Sequence, residues 1–161
     1  MEIITYENKY FEEVYNVVHD TIEKIYPKYY PRKAVDFFHK HHSKENMLKN
    51  LPNEFTGIII ENNKVIGTGS AKDNDIGRFF ILPEYQNRGY GKLLLKKLEN
   101  EVLNRNYKNI TLASSLGAVF FYKSCGYKYN DYKIIPVEDG EYLCFLAMIK
   151  EIWWTNEYNN K

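Results

Sequence analysis

The feature of this chain that most constrains its fold is a glycine-containing loop at residues 86–92, with the sequence QNRGYGK. It follows an apolar run at residues 76–82 and precedes an amphipathic stretch at residues 92–103, an order that predicts a strand, a tight loop and a helix. Glycine allows sharp turns and close approach of a ligand to the backbone. The first N–H groups of a helix lack partners and attract anions. The segment therefore indicates a phosphate-binding loop.

Two common phosphate-binding loops do not match these residues. A P-loop requires Gly, four residues and then Gly-Lys-Ser/Thr, but Gln86 occupies the first glycine position and Leu93 the Ser/Thr position. A dinucleotide-binding loop requires Gly-x-Gly-x-x-Gly. Gly89 and Gly91 fit that spacing, but Leu94 stands at the third glycine position. A different phosphate ligand is therefore expected.

The loop does match the pattern Gln/Arg-x-x-Gly-x-Gly/Ala, through Gln86, Gly89 and Gly91. In this it resembles the acyl-CoA pyrophosphate loop of the GNAT superfamily of N-acetyltransferases. A second stretch, residues 118–127 with the sequence AVFFYKSCGY, follows a β-branched segment. It resembles the GNAT motif that has Ala, Phe-Tyr and Gly-Phe/Tyr at these spacings. The resemblance covers residues 1–150 and implies an α/β fold with a central mixed seven-stranded sheet flanked by helices.

The same resemblance implies N-acetyltransferase activity with acetyl-CoA as co-substrate and no metal. In the GNAT family, pantetheine lies between two separated parallel strands, and the pyrophosphate binds backbone amides. Arg88 is expected either to pair with a phosphate or to be a solvated loop charge. Ser115 stands where many members have Asn, and its hydroxyl can still form hydrogen bonds. The cofactor-binding residues implied in this way are Phe79, Phe80, Ile81, Gln86, Asn87, Arg88, Gly89, Tyr90, Gly91, Lys92, Ser115 and Tyr122.

Two residues are candidates for proton transfer. The resemblance makes Tyr122 the general acid that protonates the departing thiolate, and a phenol can do so; the alternative is that Tyr122 only packs. A neutral amine is needed for attack, so a general base is expected, and Asp75 maps to the position of a carboxylate in some GNAT branches. The alternative for Asp75 is a turn residue. A covalent route through Cys125 is less favoured, because the cysteine has no evident histidine partner.

Residues 26–42 are rich in aromatic and histidine side chains. A functional interpretation makes Tyr29, Tyr30 and His39 part of the wall of the acceptor site, where stacking or cation–π contact would suit an amine. The alternative is a helix end with core aromatics and exposed histidines. The histidine spacing is not that of a metal site on one helical face, so no metal is predicted.

Composition places further limits. The length of 161 residues suits one domain, assigned to residues 1–150, with a tail at residues 151–161 that contains Trp153 and Trp154. The net charge of +1 gives no bias toward nucleic acid or a membrane surface. No export signal is visible and only two cysteines are present, so a cytoplasmic location is expected.

The predicted partner is a small-molecule or peptide amine, and the many aromatic residues are compatible with a homodimer. Two alternative functions stay open. One is a catalytically silent CoA-binding sensor or regulatory module, and the other is a structural or assembly protein whose aromatic surface drives oligomerisation.

Periodicity and turn residues predict the individual elements. Ser43 is expected to cap a short helix. Strands are predicted at residues 2–6, 55–61, 64–71, 75–82, 108–114, 127–136 and 141–149. Helices are predicted at residues 8–25, 31–41, 44–51, 92–105 and 116–124.

Overall fold

The computed structural model describes residues 1–152, which form one mixed sheet of seven strands in the order β1-β2-β3-β4-β5-β7-β6. Only β4 and β5 are parallel. The strands are β1 Glu2–Thr5, β2 Phe55–Glu61, β3 Lys64–Lys72, β4 Asp75–Ile81, β5 Asn109–Ser114, β6 Lys128–Pro136 and β7 Tyr142–Glu151. The helices are α1 Phe11–Ile25, α2 Arg32–His41, α3 Lys44–Asn50, α4 Tyr90–Leu103 and α5 Val119–Ser124. The predicted fold class is confirmed.

Helices cover both faces of the sheet. Successive residues of a strand point to opposite faces, and β4 illustrates this with two phenylalanines. Phe79 stacks on Phe121 of α5, with ring centroids 5.7 Å apart. Phe80 packs instead against Tyr26, which follows α1, and against His42, which follows α2. The strand therefore has one face toward α4 and α5 and the other toward α1 and α2.

Strands β4 and β5 separate soon after they begin. Their ladder consists of Asp75 with Thr111 and Ile76 with Leu112. Beyond that point β4 continues along β3 to Ile81, whereas β5 continues along β7 to Ser114. Because the two strands have different partners past the ladder, a gap opens between them on the carboxyl side.

A β-bulge interrupts β4 beside this gap. Thr68 of β3 pairs with Phe80 and Ser70 pairs with Gly77, so two residues of β4 lie opposite one residue of β3. Arg78, one of the two, has φ of +45°, a left-handed conformation that few non-glycine residues adopt. Bulges re-aim side chains and bend strands. Here the guanidinium of Arg78 is buried in an ion pair with Glu54.

Several predicted boundaries differ from those in the structure. Helix α4 begins at Tyr90 rather than at residue 92, because Gly89 caps it in the left-handed conformation with φ of +87°. Short 3-10 turns precede α1 and α5, so both helices begin three residues later than predicted. Ser43 caps α3 as expected, with its hydroxyl accepting from the Asn46 amide. Trp153 and Trp154 of the predicted tail lie outside the described residues.

The predicted apolar face of α1 is buried against the sheet, through Val14, Val17, Val18, Thr21 and Ile22. Burial of such a stripe is the main source of helix stability in a folded chain. Within residues 1–152, no helix combines the length and the apolar character needed to cross a bilayer.

Candidate active site

A cleft of about 700 Å³ lies where β4 and β5 separate; we call it the β4–β5 cleft. It brings together most of the residues that the sequence predicted for CoA binding. Arg88 and Tyr90 are the predicted loop residues outside its lining. The lining residues are Thr21, Ile25, Tyr26, Phe79, Phe80, Ile81, Gln86, Asn87, Gly89, Gly91, Lys92, Ser115, Gly117, Ala118, Phe120, Phe121, Tyr122 and Ser124.

The loop before α4 presents free backbone amides to this cleft. Asn87 and Gly89 both have positive φ, of +61° and +87°. The first helical hydrogen bond runs from the Leu93 amide to the Gly89 carbonyl, with an N···O distance of 3.2 Å. The amides of the residues between them, Tyr90 to Lys92, therefore have no partner within the helix. Such amides, at the positive end of the helix dipole, suit a phosphate.

Side chains of the loop mainly hold its shape. Gln86 donates from Nε2 to the Ile81 carbonyl over 2.9 Å, which ties the loop to the end of β4. The Tyr90 hydroxyl hydrogen-bonds to Glu61. The Arg88 guanidinium lies over the Tyr85 ring, 5.3 Å from its centroid. Arg88 thus has an aromatic partner, and its proposed contact with phosphate stays a prediction.

The second glycine of the loop permits close packing of α4 on α5. A Cβ atom on Gly91 would lie 3.2 Å from two ring carbons of Phe121. That spacing is shorter than an ordinary carbon–carbon contact. The Gly-x-Gly spacing therefore has two separate structural causes, a left-handed cap at Gly89 and a close helix contact at Gly91.

Tyr122 lies in the wall of the cleft and is 5% exposed. Its ring packs between Phe79 and Tyr127, with centroid distances of 6.0 Å and 5.7 Å. Its hydroxyl forms no hydrogen bond within residues 1–152. Burial raises the pKa of Tyr122 well above its usual value, and the nearby Tyr26, Cys125 and Asp75 raise it further. Tyr122 is therefore protonated at neutral pH.

Tyr26 is a cleft residue that the sequence interpretation did not assign. It lines the same cavity as Tyr122. Burial raises the pKa of Tyr26 to about 12, and the Ser115 hydroxyl partly offsets this. The sequence contains one indication that Tyr26 faces the sheet: it continues the apolar stripe of α1 four residues after Ile22.

A second cleft, of about 260 Å³, lies against β4; we call it the polar cleft. Gly77 and Arg78 contribute to it from the bulged part of the strand. Asp75 also lines it, and its carboxylate accepts a hydrogen bond from the Thr111 hydroxyl over 2.8 Å. Asp75 is exposed at the rim of this cleft, and partial desolvation of its carboxyl group raises its pKa, an effect that the Thr111 hydrogen bond opposes. The lining residues are His41, His42, Asn50, Glu54, Ser70, Lys72, Asp75, Gly77 and Arg78.

The electrostatics of the polar cleft depend on one buried ion pair. Arg78 and Glu54 have side chains that are 7% and 10% exposed, and the Arg78 Nε has no hydrogen-bond partner in residues 1–152. Burial lowers the pKa of His41, and the charge of Arg78 lowers it further. Burial also lowers the pKa of His42, well below the usual histidine value. Both histidines are consequently neutral at pH 7, and the Arg78 and Glu54 charges compensate each other.

The three predicted acceptor-site residues do not line either cleft. Tyr30 is buried, and its hydroxyl donates to the Cys144 carbonyl and accepts from the Leu116 amide, over 2.9 Å and 2.8 Å. Tyr29 packs on Gly117, where an added Cβ would lie 2.7 Å from the tyrosine ring. His39 forms part of a hydrogen-bonded chain between α1 and α2. An acceptor role for Tyr29, Tyr30 and His39 stays a prediction.

That chain of hydrogen bonds links the two helices through two imidazole rings. His19 Nε2 lies 2.8 Å from the His42 carbonyl, His19 Nδ1 lies 2.7 Å from His39 Nδ1, and His39 Nε2 lies 2.9 Å from the Glu23 carboxylate. Burial lowers the pKa of His19, and the hydrogen bond to the His42 carbonyl opposes this effect. We attribute to His39 a role in joining α2 to α1.

No cluster of metal ligands occurs in the part of the chain that the structure describes. Groups of three or more His, Cys, Asp or Glu side chains able to hold a metal ion are absent from residues 1–152. Cys125 and Cys144 are free thiols.

Solved structures with the same architecture are acetyltransferases. A GCN5-related N-acetyltransferase of Rhodopseudomonas palustris, described as a class-II aminotransferase, superposes with a TM-score of 0.86 at 20% identity, covering 94% of this chain and 95% of that one. PaiA N-acetyltransferase of Thermoplasma acidophilum, in complex with coenzyme A, gives a TM-score of 0.69 at 18% identity, covering 94% and 100%. At these identities the similarity establishes the fold.

Sequence comparison establishes the family. An uncharacterized acetyltransferase of Streptococcus pyogenes serotype M1 is 28% identical over 104 residues, which are 62% of this chain and 72% of that protein. The profile of the acetyltransferase (GNAT) domain matches residues 25–151, which include both clefts except Thr21. The chain belongs to the GNAT family of acetyltransferases.

Proposed function

We propose that the protein is an N-acetyltransferase that moves the acetyl group of acetyl-CoA to a primary amine by direct attack. The observation that carries this proposal is the composition of the β4–β5 cleft. The first turn of α4 and the Tyr122 side chain line one cavity, beside two strands that have separated. A polyanion-binding helix start and a proton donor are the two groups that a thioester-dependent transfer requires.

The cleft suits the chemistry of acetyl-CoA. The pyrophosphate would bind the backbone amides at Tyr90 to Lys92, and Asn87 would line its path. Pantetheine would lie beside the backbone of Phe79, Phe80 and Ile81, where β4 has no β5 partner. Ser115 lines the same cavity and offers a hydroxyl to a pantetheine amide. These contacts come mainly from the main chain, so the side chains need little specificity.

The acyl transfer would be accompanied by two proton transfers, one from the amine and one to the thiolate. The amine nitrogen forms a bond to the thioester carbonyl carbon, and the carbon–sulfur bond then breaks to give the amide and the CoA thiolate. Asp75 accepts the amine proton, directly or through water. Tyr122 donates its proton to the thiolate. A backbone N–H of the Phe79–Ile81 segment would polarise the carbonyl oxygen.

Electrostatic coupling between Asp75 and Tyr122 favours this order of events. The Asp75 charge raises the pKa of Tyr122. Once Asp75 has taken the amine proton, that charge is gone and the phenol becomes a stronger acid. The leaving sulfur would lie in the same cleft as the phenol, where desolvation also disfavours the thiolate. Proton transfer from Tyr122 would then relieve the charge on the sulfur.

Acetyl-CoA binding and CoA release would test the proposal together. Calorimetry should detect acetyl-CoA binding, and a panel of amines should contain at least one that releases CoA. Binding with no release from any amine would favour a CoA-binding sensor or regulatory module. Failure to bind acetyl-CoA would refute the proposal altogether.

The cap of α4 gives a separate prediction for binding. Gly89→Ala introduces a Cβ at φ of +87°, a conformation that costs L-residues about 1–2 kcal/mol. The strain is relieved only by moving the helix start, so acetyl-CoA affinity should fall by about tenfold. Gly140→Ala is the matched control, because φ is +73° and no atom lies within 4 Å of the added Cβ at either glycine. A similar fall in affinity for both variants would contradict the assignment.

The base role of Asp75 predicts a pH profile. Its raised pKa means that kcat/KM should decline with falling pH above the usual carboxyl range, as the carboxylate becomes protonated and can no longer accept a proton. Asp75→Asn should remove this acidic limb and lower kcat by about 10²-fold. The alkaline side of the profile, set by the acceptor amine, should not change. An acidic limb that persists in Asp75→Asn would exclude this residue as the base.

We further infer a single domain over residues 1–150, a cytoplasmic location and a homodimer. Two free thiols are typical of a reducing compartment. Exposed aromatic residues at one edge of the sheet support dimerisation. They lie on the outermost strand β6 and on its neighbour β7, and are Tyr129, Tyr132 and Tyr142. Aromatic side chains are enriched at protein interfaces.

A further inference from the structure

The polar cleft presents two opposite charges side by side. Lys72 of β3 pairs directly with Asp75 of β4, so both side chains emerge on the same face of the sheet. Cβ atoms of such a pair lie about 4.5–5.5 Å apart. Both residues line the cleft. A ligand at this position therefore meets a cation and an anion at once.

These two charges are available to a ligand, unlike the others around them. None of the ion pairs within residues 1–152 involves Lys72, and the Asp75 carboxylate is bonded to a neutral hydroxyl. The Arg78 and Glu54 charges compensate each other. His41 and His42 are neutral, since burial lowers the pKa of each. One free positive charge and one free negative charge remain.

The size and polarity of the cleft restrict the ligand further. Its volume of about 260 Å³ is below the roughly 300–1,000 Å³ that drug-sized ligands occupy. No Phe, Tyr or Trp lines it, so an arylalkylamine would find no aromatic wall. A polyamine would need several free carboxylates, and Asp75 alone is free. A compact polar molecule fits these limits.

The position of the cleft relates it to the acyl-transfer site. Gly77 and Arg78 line the polar cleft, and the next two residues, Phe79 and Phe80, line the β4–β5 cleft. The Asp75 charge also affects the pKa of Tyr122. An amine held at Asp75 is therefore on the strand that borders the proposed thioester site.

We propose that the polar cleft is the acceptor site and that the acceptor is a small zwitterionic amine of the α-amino acid class. Asp75 binds the ammonium group, and Lys72 binds the carboxylate a few bonds away. The proposal rests on the transferase function proposed above. It assigns specificity to Lys72, a residue that plays no part in acetyl-CoA binding or proton transfer.

The test is to offer the twenty common L-amino acids as acceptors and to measure acetylation as the rate of CoA release. For each substrate found, the matched amide and the decarboxylated amine would be compared; for L-serine these are L-serinamide and ethanolamine. We expect kcat/KM for the amino acid to exceed that of either analogue by at least about tenfold, since each lacks a charge-assisted bond. An amide that reacts as well as the acid would overturn the proposal.

Variants of exposed lysines separate specificity from general effects. Lys72→Met should raise KM for the amino acid at least about tenfold, with kcat and the KM of the amide nearly unchanged. Lys133→Met, in an exposed lysine of β6, is the control and should change neither constant. An unchanged KM in Lys72→Met would overturn the assignment of that residue.

The outcome also separates this proposal from the one on which it rests. If spermidine, tyramine or a peptide amine is acetylated and no amino acid is, the acceptor class is wrong and the transferase function stands. If acetyl-CoA binds and no amine of any class releases CoA, the transferase function fails, and the acceptor proposal fails with it.

Discussion

Tyr122→Phe is expected to lower kcat by about 10²–10⁴-fold, the range associated with general acid–base catalysis. The variant removes one oxygen from the wall of the β4–β5 cleft and keeps the ring packed against Phe79 and Tyr127. Without the phenol the thiolate must leave unprotonated or take its proton from water. Stopped assays of CoA release would give kcat, and calorimetry should show acetyl-CoA affinity within about twofold of wild type, because binding is mainly main-chain.

A neighbouring tyrosine provides the control for this variant. Tyr127 is as buried as Tyr122, at 2% exposed, but it does not line the cleft and its hydroxyl donates to Glu99 over 3.0 Å. Tyr127→Phe should cost about 1–3 kcal/mol of stability, the cost of losing a hydrogen bond to a charged group, with kcat unchanged. Tyr122→Phe should instead lower kcat and leave the stability unchanged, since its hydroxyl has no hydrogen-bond partner within residues 1–152. Unchanged kcat in Tyr122→Phe would assign the residue to packing alone.

Glu54→Ala is expected to lower the free energy of unfolding by about 3–5 kcal/mol, because it leaves a buried charge without a partner. Arg78 is 7% exposed and sits at the bulge of β4 with an unsatisfied Nε. Removal of Glu54 would leave its guanidinium without the carboxylate that now pairs with it. Urea denaturation should report the loss as a lower midpoint with an unchanged slope.

Two further variants make this prediction specific. Glu12→Ala breaks an exposed pair with Lys44, whose side chains are 64% and 52% exposed, and should cost less than about 1 kcal/mol. The double variant Glu54→Leu/Arg78→Met replaces the pair with apolar groups of similar size and should recover much of the stability lost in the single variant. A loss in Glu54→Ala no larger than that in Glu12→Ala would mean that water screens the pair.

The parts of the site that could be predicted from sequence are those held in one short stretch of chain. Gln86, Gly89 and Gly91 form a continuous strand–loop–helix unit, and local backbone preferences decide its shape. Tyr122 was predicted through the resemblance of residues 118–127 to a GNAT motif; the structure places it in the wall of the β4–β5 cleft, and its catalytic role stays a prediction. Ser43 as a helix cap was also predicted correctly, because a cap depends on neighbours three residues away.

The parts that could not be predicted depend on residues far apart in the chain. The Glu54 and Arg78 charges meet only because β4 is bulged opposite β3. The two histidines and the carboxylate that join α1 to α2 span residues 19–39, and no local pattern indicates that their rings meet. The Tyr30 hydroxyl joins residues more than 80 positions away, Leu116 and Cys144, and no local pattern indicates that link.

The sequence predicted the order of the strands and helices from local periodicity, and the resemblance of residues 86–92 and 118–127 to GNAT motifs predicted the family that the profile match confirms. The tertiary structure decided where β4 leaves β5, which aromatic residues wall the resulting cleft, and that Asp75 lies beside Lys72 in a second, polar cavity. The physical reason is register. A strand presents alternate residues to opposite faces, and a single bulge changes which side chains reach which cleft. The hydrophobic periodicity of the sequence does not reveal where such a bulge shifts the register.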